Sequence, residues 1–586
     1  MKKTIYISIL LSCILLSGFS HDCGMQPTAK AAASADEHLI RTYYVNASLG
    51  NDLNNGRSKT QAWRTLERIR TQSLKPGDTV LLKRGELWRE HLALDKSSGS
   101  PDMPITIGAY GSGKKPQING AHIKRGWSRH SGAIYQKSFA HAAKVIVQGN
   151  KLLTYLIWKN SVQATFAGAS PGSFSCDDKT KTAYVWCTDN TDPDTHIMEV
   201  AAMSRNDTHE YGIRIRNISN IVVQDIEIVN TTHSGIRVQP TVGHDTNNIT
   251  LRRLLIRNTG SKGIEVINGP NSNSGLNEIK GLLIASCKIY DTNYHGIILS
   301  YGVSGAVVRN NTTFRTGWSL DGSHGITSWS NKPKSYVHDC IIEGNTAYEC
   351  RARASTGAEG AGIQADDLTK DCIYRNNISY NNEGSGFYFN GTSGCKYYYN
   401  ISYGNGTSLV SKGKFRGGLT LSQPIDIEVY NNVLFNNDPC GIGWWGRTTN
   451  GLTIKNNIIV KNGVYEIRSG VDAGRNVRCD YNCIYHPVGG IYLRWLGSDA
   501  GWTKWKNIPG QHNHSLRASP RFVDAANGNF NLHTESSCID RGTDVGLEKD
   551  INGIDVPQGQ GVDIGANENP VQNHNSSLKG KHPITG

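Results

Sequence analysis

Short apolar strands separated by asparagine-containing turns recur from about residue 225 to residue 482. Val, Ile and Tyr alternate with polar residues on both sides of each turn. This period of two predicts β-strands and excludes a helical solenoid. The turns share a register marked by Asn311, Asn345, Asn377, Asn400, Asn432, Asn457 and Asn482. The steps between these residues are 34, 32, 23, 32, 25 and 25, which predicts stacked coils.

A column of glycines, each followed by Ile, Leu or Phe, lies downstream of the turns. Its members are Gly235, Gly263, Gly296, Gly325, Gly362, Gly386, Gly418 and Gly441. Three short strands per coil predict an all-β protein, a parallel β-helix whose coils are clearest over residues 205–500. Asparagines stacked at one bend would bond the backbone of neighbouring coils and face the interior. Cys287 occupies the position of the ladder asparagines one coil before Asn311, which predicts a buried thiol.

These turns, among them RNNTTF, EGNTAY and RNNISY, resemble the asparagine ladder of the right-handed parallel β-helix proteins. This pectate lyase-like superfamily includes pectate and alginate lyases, alginate epimerases, polygalacturonases and phage tailspikes. The segment YYVNASLGNDLNNGRSKTQAWRTLERI is similar to the opening segment of secreted members, in which a short amphipathic helix caps the first coil. CIDRGTDVGLEKDINGIDVPQGQGVDIGANE resembles their closing segment. The resemblance implies a right-handed parallel β-helix with an N-terminal capping helix, as a single domain over residues 36–570, and a carbohydrate-active function.

The sequence departs from the specific patterns of two of these families. It has no paired aspartates before a Gly-His-Gly motif, as polygalacturonases have, and it does not match the full calcium-aspartate and lysine pattern of pectate lyases. The resemblance therefore implies the fold without naming the linkage that is cleaved.

The first residues have the pattern of an export signal. Two lysines precede an apolar stretch over residues 5–19, and small residues follow, which predicts a signal peptide and leader over residues 1–35. We therefore expect a secreted or periplasmic protein. Cys23 lacks the preceding pattern that lipidation needs, and no later segment approaches the roughly 20 apolar residues of a membrane span. Residues 571–586 are expected to form a disordered tail.

The net charge of +13, at a sequence pI of about 9.0, favours polyanionic partners. The chain contains no helix-turn-helix, zinc-finger or RNA-binding signature, so an acidic polysaccharide is the expected partner and nucleic acid is not. We expect a monomer.

The strands that follow the glycine column correspond to the floor of the substrate groove in the β-helix enzymes. If Ile363 and Ala365 point inward, alternation turns Gln364 and Asp366 outward. The same register exposes Arg237, Gln239, Glu265, Ser300, Thr327, Trp329, Tyr388, Asn390, Thr420, Ser422 and Trp445. We expect substrate to be bound by Arg237, Glu265, Trp329, Gln364, Tyr388, Asn390 and Trp445, whose rings and polar groups suit a sugar chain. The alternative is an ordinary solvated sheet face, which would leave Trp329 and Trp445 as exposed apolar surface.

The stretch EGAGIQADDLTKDC brings Glu359, Asp366 and Asp367 together, and two chemistries would use three carboxylates. In a lyase acting by β-elimination, they bind Ca²⁺, which acidifies the proton next to a uronate carboxylate. A basic side chain then removes that proton, the candidates being Lys262, His295, His324, Arg351 and Arg353. In a glycoside hydrolase the carboxylates themselves act as acid and base. A solvated turn without catalytic role is the third interpretation.

The histidines and cysteines carry further expectations. His295 and His324 precede the glycines of successive coils, so they should stack one rung apart, and strict alternation points both inward. Cys176 and Cys187 flank a predicted hairpin turn, and we expect them to form a disulfide in an oxidising compartment. Cys340 and Cys372 should be reduced and buried near the ladder.

The sequence thus predicts a secreted enzyme that degrades a polysaccharide. The positive charge favours a lyase acting on an acidic, uronate-containing chain. A glycoside hydrolase using Glu359, Asp366 and Asp367 is the alternative, and a non-catalytic polysaccharide-binding or adhesion solenoid is the second alternative.

Overall fold

A computed structural model describes residues 39–202, 210–269, 278–317, 322–352, 360–408, 416–472, 476–487, 492–508 and 511–569. The predicted leader, the predicted tail, Arg353 and Glu359 lie outside these residues.

Three long sheets run the length of the protein, because each coil contributes one short strand to each sheet. Sheet A consists of Thr42–Val45, Thr79–Lys83, Ile105–Tyr110, Ile221–Gln224, Ile249–Arg252, Leu283–Ala285, Val307–Arg309, Ile341–Glu343, Ile373–Arg375, Lys396–Tyr398, Glu428–Tyr430, Thr453–Lys455 and Arg478–Asp480. Sheet B consists of Leu87–Trp88, Gln117–Asn119, Glu227–Thr231, Leu255–Thr259, Lys288–Thr292, Thr312–Thr316, Thr346–Tyr348, Ile378–Tyr380, Ile401–Tyr403, Val433–Phe435, Ile458–Val460 and Cys483–Tyr485. The groove sheet consists of Leu92–Leu94, Ile213–Ile215, Ile236–Val238, Ile264–Ile267, Ile297–Ser300, Ile326–Trp329, Ile363–Ala365, Phe387–Asn390, Leu419–Ser422, Cys440–Trp445, Tyr465–Ser469, Leu493–Trp495 and Ser498–Ala500.

The pairing between coils is parallel and in register, as in Ile326↔Ile363 and Ile363↔Phe387, and only the last strand of the groove sheet pairs antiparallel. Inward side chains of all three sheets form one continuous apolar core from Tyr43 to Trp505. The structure is therefore the predicted parallel β-helix. Two further small sheets are built from Val303–Ser304, Val337–His338 and Thr369–Lys370, and from Phe522–Asp524 and Asn529–Leu532.

The predicted asparagine ladder is confirmed. The backbone N–H of Asn345 donates to Asn377 Oδ1 at 3.0 Å, and the N–H of Asn377 donates to Asn400 Oδ1 at 2.9 Å. The pattern continues to Asn482, and Cys287 donates its N–H to Asn311 Oδ1 at 2.9 Å. Each buried side chain thus satisfies polar groups of the next coil, as a bend without water requires.

Short helices lie at both ends of the core. Glu67–Thr71, with buried Ile69, is the predicted N-terminal capping helix, and Trp502–Lys506, with buried Trp505, packs at the other end. Other helices with described bounds are Val162–Phe166 and the 3₁₀ turns Pro193–Thr195 and Ala525–Asn527. Within the described ranges, no helix is long and apolar enough to cross a membrane.

A lobe inserted at residues 120–202 interrupts the coils and was not predicted. Its strands are His122–Ile123, Ser128–Ser131, Ile134–Ser138, Val145–Gln148, Lys151–Leu152, Thr154–Tyr155, Ser173–Asp177, Thr182–Trp186 and Met198–Ala201, in two sheets of four and five. The lobe has a separate core that includes Trp127, Phe174 and Val185.

The predicted disulfide in this lobe is wrong. The hairpin exists, but Cys176 pairs with Ala183, and both Cys176 and Cys187 are free and buried. Cys187 lies four positions beyond the partner of Cys176, which is about 13 Å along a strand and too far for an S–S bond. Cys340 and Cys372 are free and buried, as predicted.

Candidate active site in the groove sheet

Outward side chains of the groove sheet form two columns along the helix axis. The inner column runs through Arg237, Glu265, Ile298, Thr327, Gln364, Tyr388 and Thr420, which pair in successive strands. The outer column contains Ser300 and Trp329, then Asp366, then Asn390, Ser422 and Trp445. The predicted register is therefore correct, since Ile363 and Ala365 lie in the core.

Exposure differs between the members of these columns. Glu265, Ser300, Thr327, Gln364, Tyr388, Thr420 and Ser422 are buried, although the register predicted them to be exposed. Side chains one rung apart cover and bond one another, as Thr327 does when it donates to Gln364 Oε1 at 2.7 Å. Arg237, Gln239, Trp329, Asp366, Asn390 and Trp445 remain partly exposed, and Asp367 is exposed.

Asp366 is held by three donors at the end of its strand. Asn390 Nδ2 lies 2.7 Å from Asp366 Oδ1, Gln364 Nε2 lies 3.0 Å from Oδ2, and the N–H of Asp367 donates to Oδ1 at 2.9 Å. The bond from Thr327 fixes the orientation of the Gln364 amide. Its own strand and the neighbouring coils together define the position of this carboxylate, which suits a group that must meet a substrate atom.

The two aspartates share the Asn390 amide. Asn390 Nδ2 also lies 3.2 Å from Asp367 Oδ1, so the two Oδ1 atoms are at most about 6 Å apart. Burial raises the pKa of Asp366, and the Asn390 bond only partly opposes this effect. Burial also raises the pKa of Asp367. Gly391 leaves room for the pair, because a Cβ at this residue, whose φ is +60°, would lie 2.8 Å from Asp367 Oδ1.

The environment of Asp366 does not fit the predicted Ca²⁺ site. Calcium needs six to eight oxygen ligands, whereas both oxygens of Asp366 face N–H donors. Glu359, the third predicted ligand, lies outside the described residues, and within those residues no three acidic, His or Cys side chains are grouped as a metal site. The residues around Asp366 therefore do not fit a calcium ion.

Two tryptophans lie on either side of the aspartates in the outer column. Trp329 occupies the coil before Asp366 and contacts Tyr301 edge to face at 5.2 Å, while Trp445 lies three coils beyond Asp366. Four rungs separate the two indoles, which is about 19 Å along the axis. Partly exposed rings at this spacing provide stacking surfaces on both sides of the carboxylates.

A second polar group, the Glu265 cluster, lies further along the inner column. It consists of Tyr211, His233, Ser234, Arg237, Lys262 and Glu265. Lys262 Nζ lies 2.9 Å from Glu265 Oε1, and Ser234 Oγ donates to Oε2 at 2.8 Å. Arg237 and His233 are 3.6 and 3.7 Å from Oε2. Burial disfavours the charged form of Glu265, but Lys262, Arg237 and His233 outweigh it and lower the pKa to about 2.

The Glu265 cluster is separate from the aspartates. Three rungs lead from Glu265 to Gln364, about 14 Å, so the structure does not bring Lys262 beside Asp366. Lys262 is also engaged in an ion pair with Glu265, which directs its amine away from the aspartates.

His295 and His324 stack one rung apart, as predicted, with ring centroids at 5.5 Å. Both are buried, which agrees with the inward parity of strict alternation. Burial, with His324 and Lys262 nearby, lowers the pKa of His295 well below its ordinary value, and burial lowers the pKa of His324 to about 3. Both rings are neutral at pH 7. Arg351 is partly exposed, whereas Arg353 lies outside the described residues.

Sequence reasoning missed Tyr211, His233 and Gly391. Tyr211 bonds Arg237, whose guanidinium lies 5.2 Å from the tyrosine ring centroid. His233 lies two residues before Gly235, in the turn that His295 and His324 occupy in later coils, and this position could have identified it.

Comparison with known proteins supports the architecture. Residues 242–450 match the family model described as right handed beta helix region. XylC, solved in complex with xylose, aligns with a TM-score of 0.56 at 11% identity, over 90% of this chain and 98% of that chain. An identity this low shows the fold alone. The chain therefore has the right-handed parallel β-helix fold.

Other similarities are shorter or weaker. A stretch of 88 residues is 39% identical to a lacto-N-biosidase of Bifidobacterium longum subsp. longum, but it spans 14% of this chain and 6% of that protein. A lacto-N-biosidase from Eubacterium ramulus aligns with a TM-score of 0.43 at 14% identity, over 81% of this chain and 67% of that chain. Pectate lyase Pel9A aligns with a TM-score of 0.40 at 13% identity, over 90% and 96%.

Proposed function

We propose that this protein hydrolyses glycosidic bonds of a carbohydrate chain that lies along the groove sheet. The observation that carries the proposal is the pair Asp366 and Asp367, held by one amide in the outer column between Trp329 and Trp445. Glycoside hydrolysis needs two carboxyl groups with different roles at the scissile bond.

The environments of the two aspartates support the division of roles. Asp366 is the less exposed carboxyl, and burial raises its pKa, so it is the better proton donor to the leaving oxygen. Asp367 is exposed at the surface of the groove, so its carboxylate is open to an anomeric carbon. In this scheme the bond between the anomeric carbon and the leaving oxygen breaks as Asp366 gives up its proton. Asp367 attacks the anomeric carbon, and water activated by Asp366 then releases the sugar.

The separation of the carboxyl groups supports this order of events. Retaining glycosidases have carboxyl groups about 5–5.5 Å apart, whereas inverting enzymes leave about 6.5–9.5 Å for a water molecule. The two Oδ1 atoms are at most about 6 Å apart, which favours the retaining arrangement.

A lyase acting on an acidic chain remains the second candidate, and the Glu265 cluster favours it. Lys262 and Arg237 flank one carboxylate, which places two cationic side chains at this end of the groove. Such side chains would attract a uronate and neutralise its carboxylate, as β-elimination requires.

One assay separates these functions. The purified protein is incubated with acidic and neutral polysaccharides and oligosaccharides, and reducing ends are recorded together with absorbance near 235 nm. New reducing ends without that absorbance are the result we expect. Absorbance near 235 nm would indicate unsaturated uronates and a lyase. Binding without either product would indicate a non-catalytic polysaccharide-binding protein and contradict both enzymatic proposals.

A further inference from the structure

A cavity of about 210 Å³, the side cavity, lies where the inserted lobe packs against sheet B. Leu153, Tyr155 and Phe174 of the lobe form its apolar wall, and Asn258 and Asn293 of the coils form its polar wall. At the liquid volume of water it has room for about seven water molecules, a space that suits one sugar ring. None of these residues belongs to the two outward columns of the groove sheet.

The polar wall contains two buried amides with unused hydrogen-bonding capacity. Asn293 is 7% exposed, and within the described part of the chain its side chain makes no hydrogen bond. Asn258 is 4% exposed and donates to Asn230 Oδ1 at 2.9 Å, while its own Oδ1 accepts nothing from the described residues. These unpaired amide atoms face the open space of the cavity, where the hydroxyl groups of a ligand can complete their bonds.

The charged residues of the side cavity are already paired. Arg315 Nε and its terminal nitrogen lie 2.7 and 2.8 Å from the two oxygens of Asp291, and Lys144 Nζ lies 2.9 Å from Asp178 Oδ1. A charged ligand would therefore meet side chains whose charges are already balanced. Neutral amides on one wall and aromatic rings on the other, with Tyr155 and Phe174 edge to face at 5.3 Å, match the hydroxyl groups and C–H faces of a sugar.

We propose that the side cavity binds an uncharged sugar residue, at a site separate from the groove. Asn293 bonds the sugar hydroxyls with both its amide nitrogen and its oxygen, Asn258 Oδ1 accepts from a further hydroxyl, and Tyr155 packs against the ring. The inference rests on the chemistry of the cavity and does not require Asp366 to be catalytic. An ancillary sugar site on the lobe would hold the protein on a glycan while the groove acts on another part of it.

The test measures binding of glucose, galactose, xylose, N-acetylglucosamine and glucuronic acid by saturation-transfer NMR titration. The protein carries Asp366→Asn and Trp329→Ala, which suppress turnover and binding in the groove. We expect at least one neutral sugar to bind, and Asn293→Leu, of similar volume, to weaken that binding about tenfold. Thr154→Trp places an indole at the cavity mouth, where Thr154 is exposed, and should abolish binding without disturbing the core.

Asn390→Leu is the matched control, since it removes a groove amide and should leave sugar binding in the side cavity unchanged. Conversely, Asn293→Leu in the otherwise native protein should leave turnover in the groove unchanged. Absence of binding by every neutral sugar, or equal binding by native, Asn293→Leu and Thr154→Trp cavities, would overturn the proposal. Preferential binding of glucuronic acid would also overturn it. If no substrate is cleaved but the cavity variants still lose sugar binding, the hydrolase proposal fails and this one stands.

Discussion

Asn390 lies one rung beyond Asp366 and donates its amide to Asp366 Oδ1 at 2.7 Å. The bond crosses between coils, so the position of the candidate acid depends on the stacking of the helix as well as on its own turn, which supplies Gln364 and the N–H of Asp367. This arrangement makes the carboxyl rigid while one side remains open to the groove.

Asp366→Asn should lower kcat at least about 100-fold, because general acid catalysis contributes a factor of this size or more. The amide retains the shape of the side chain, and the strand end contributes little to the core, so the melting temperature should shift only slightly. Turnover and thermal unfolding are measured together. Asp102→Asn, a change at an exposed aspartate in the turn before Ile105–Tyr110 and outside the groove sheet, is the control. Near-normal turnover by the Asp366 variant would make the pair a solvated turn.

Asn390→Leu should move the alkaline limb of the kcat/KM profile to higher pH. The Asn390 bond favours the charged form of Asp366, so its loss raises the pKa of that carboxyl further. Since a general acid acts while protonated, activity then persists to higher pH. Ser422→Ala, one rung further along the column, is the matched control and should leave the profile in place. A variant that loses activity equally at every pH would show that Asn390 only positions substrate.

The first product of cleavage should retain the anomeric configuration of the substrate. This follows from Oδ1 atoms at most about 6 Å apart, which leave too little room for the attacking water of an inverting enzyme. Proton NMR of the anomeric signals, recorded before mutarotation, distinguishes the two outcomes. An inverted first product would exclude Asp367 as the nucleophile and require a more distant carboxylate.

Removal of calcium should leave activity unchanged. The oxygens of Asp366 accept from Asn390, Gln364 and the Asp367 N–H, and these donors oppose a cation. Activity is compared after dialysis against EDTA and after readdition of CaCl₂, with magnesium as the control. Loss on chelation with recovery on calcium alone would contradict the proposed chemistry and favour the lyase.

The first asparagine ladder could be predicted because each turn repeats a local motif. A second ladder, through Asn382, Asn405, Asn437 and Asn462, was missed, although each member lies five residues after a member of the first. Its last amide bonds Glu466, which is fully buried and whose pKa is raised by that burial. The sequence does contain the pattern of this second ladder, because its asparagines repeat with the same steps as those of the first ladder, five residues later.

The candidate site was predictable only in part. Register alone placed Asp366 and Asn390 in one column, but it could not show that side chains such as Thr327 and Gln364 would cover one another. The predicted disulfide failed because two cysteines flanking a turn do not define the pairing, which places Ala183 opposite Cys176. The side cavity depends on how the lobe packs against the coils, and no local pattern encodes that contact.

Glu265→Gln should destabilise the protein at neutral pH and flatten its loss of stability in acid. The pKa of Glu265 falls from an ordinary 4.5 to about 2 in the folded protein. A lowered carboxyl pKa gives stability that is complete above about pH 4.5 and is lost as the pH falls toward 2. The shift corresponds to about 3 kcal/mol, and the glutamine variant also leaves Lys262, Arg237 and His233 without their carboxylate. Urea unfolding between pH 7 and pH 2 measures both effects.

Glu343→Gln, which removes a partly exposed ion pair with Arg375, is the control and should change the free energy of unfolding little. An unchanged acid dependence in the Glu265 variant would show that the three cations do not stabilise this carboxylate in the folded protein.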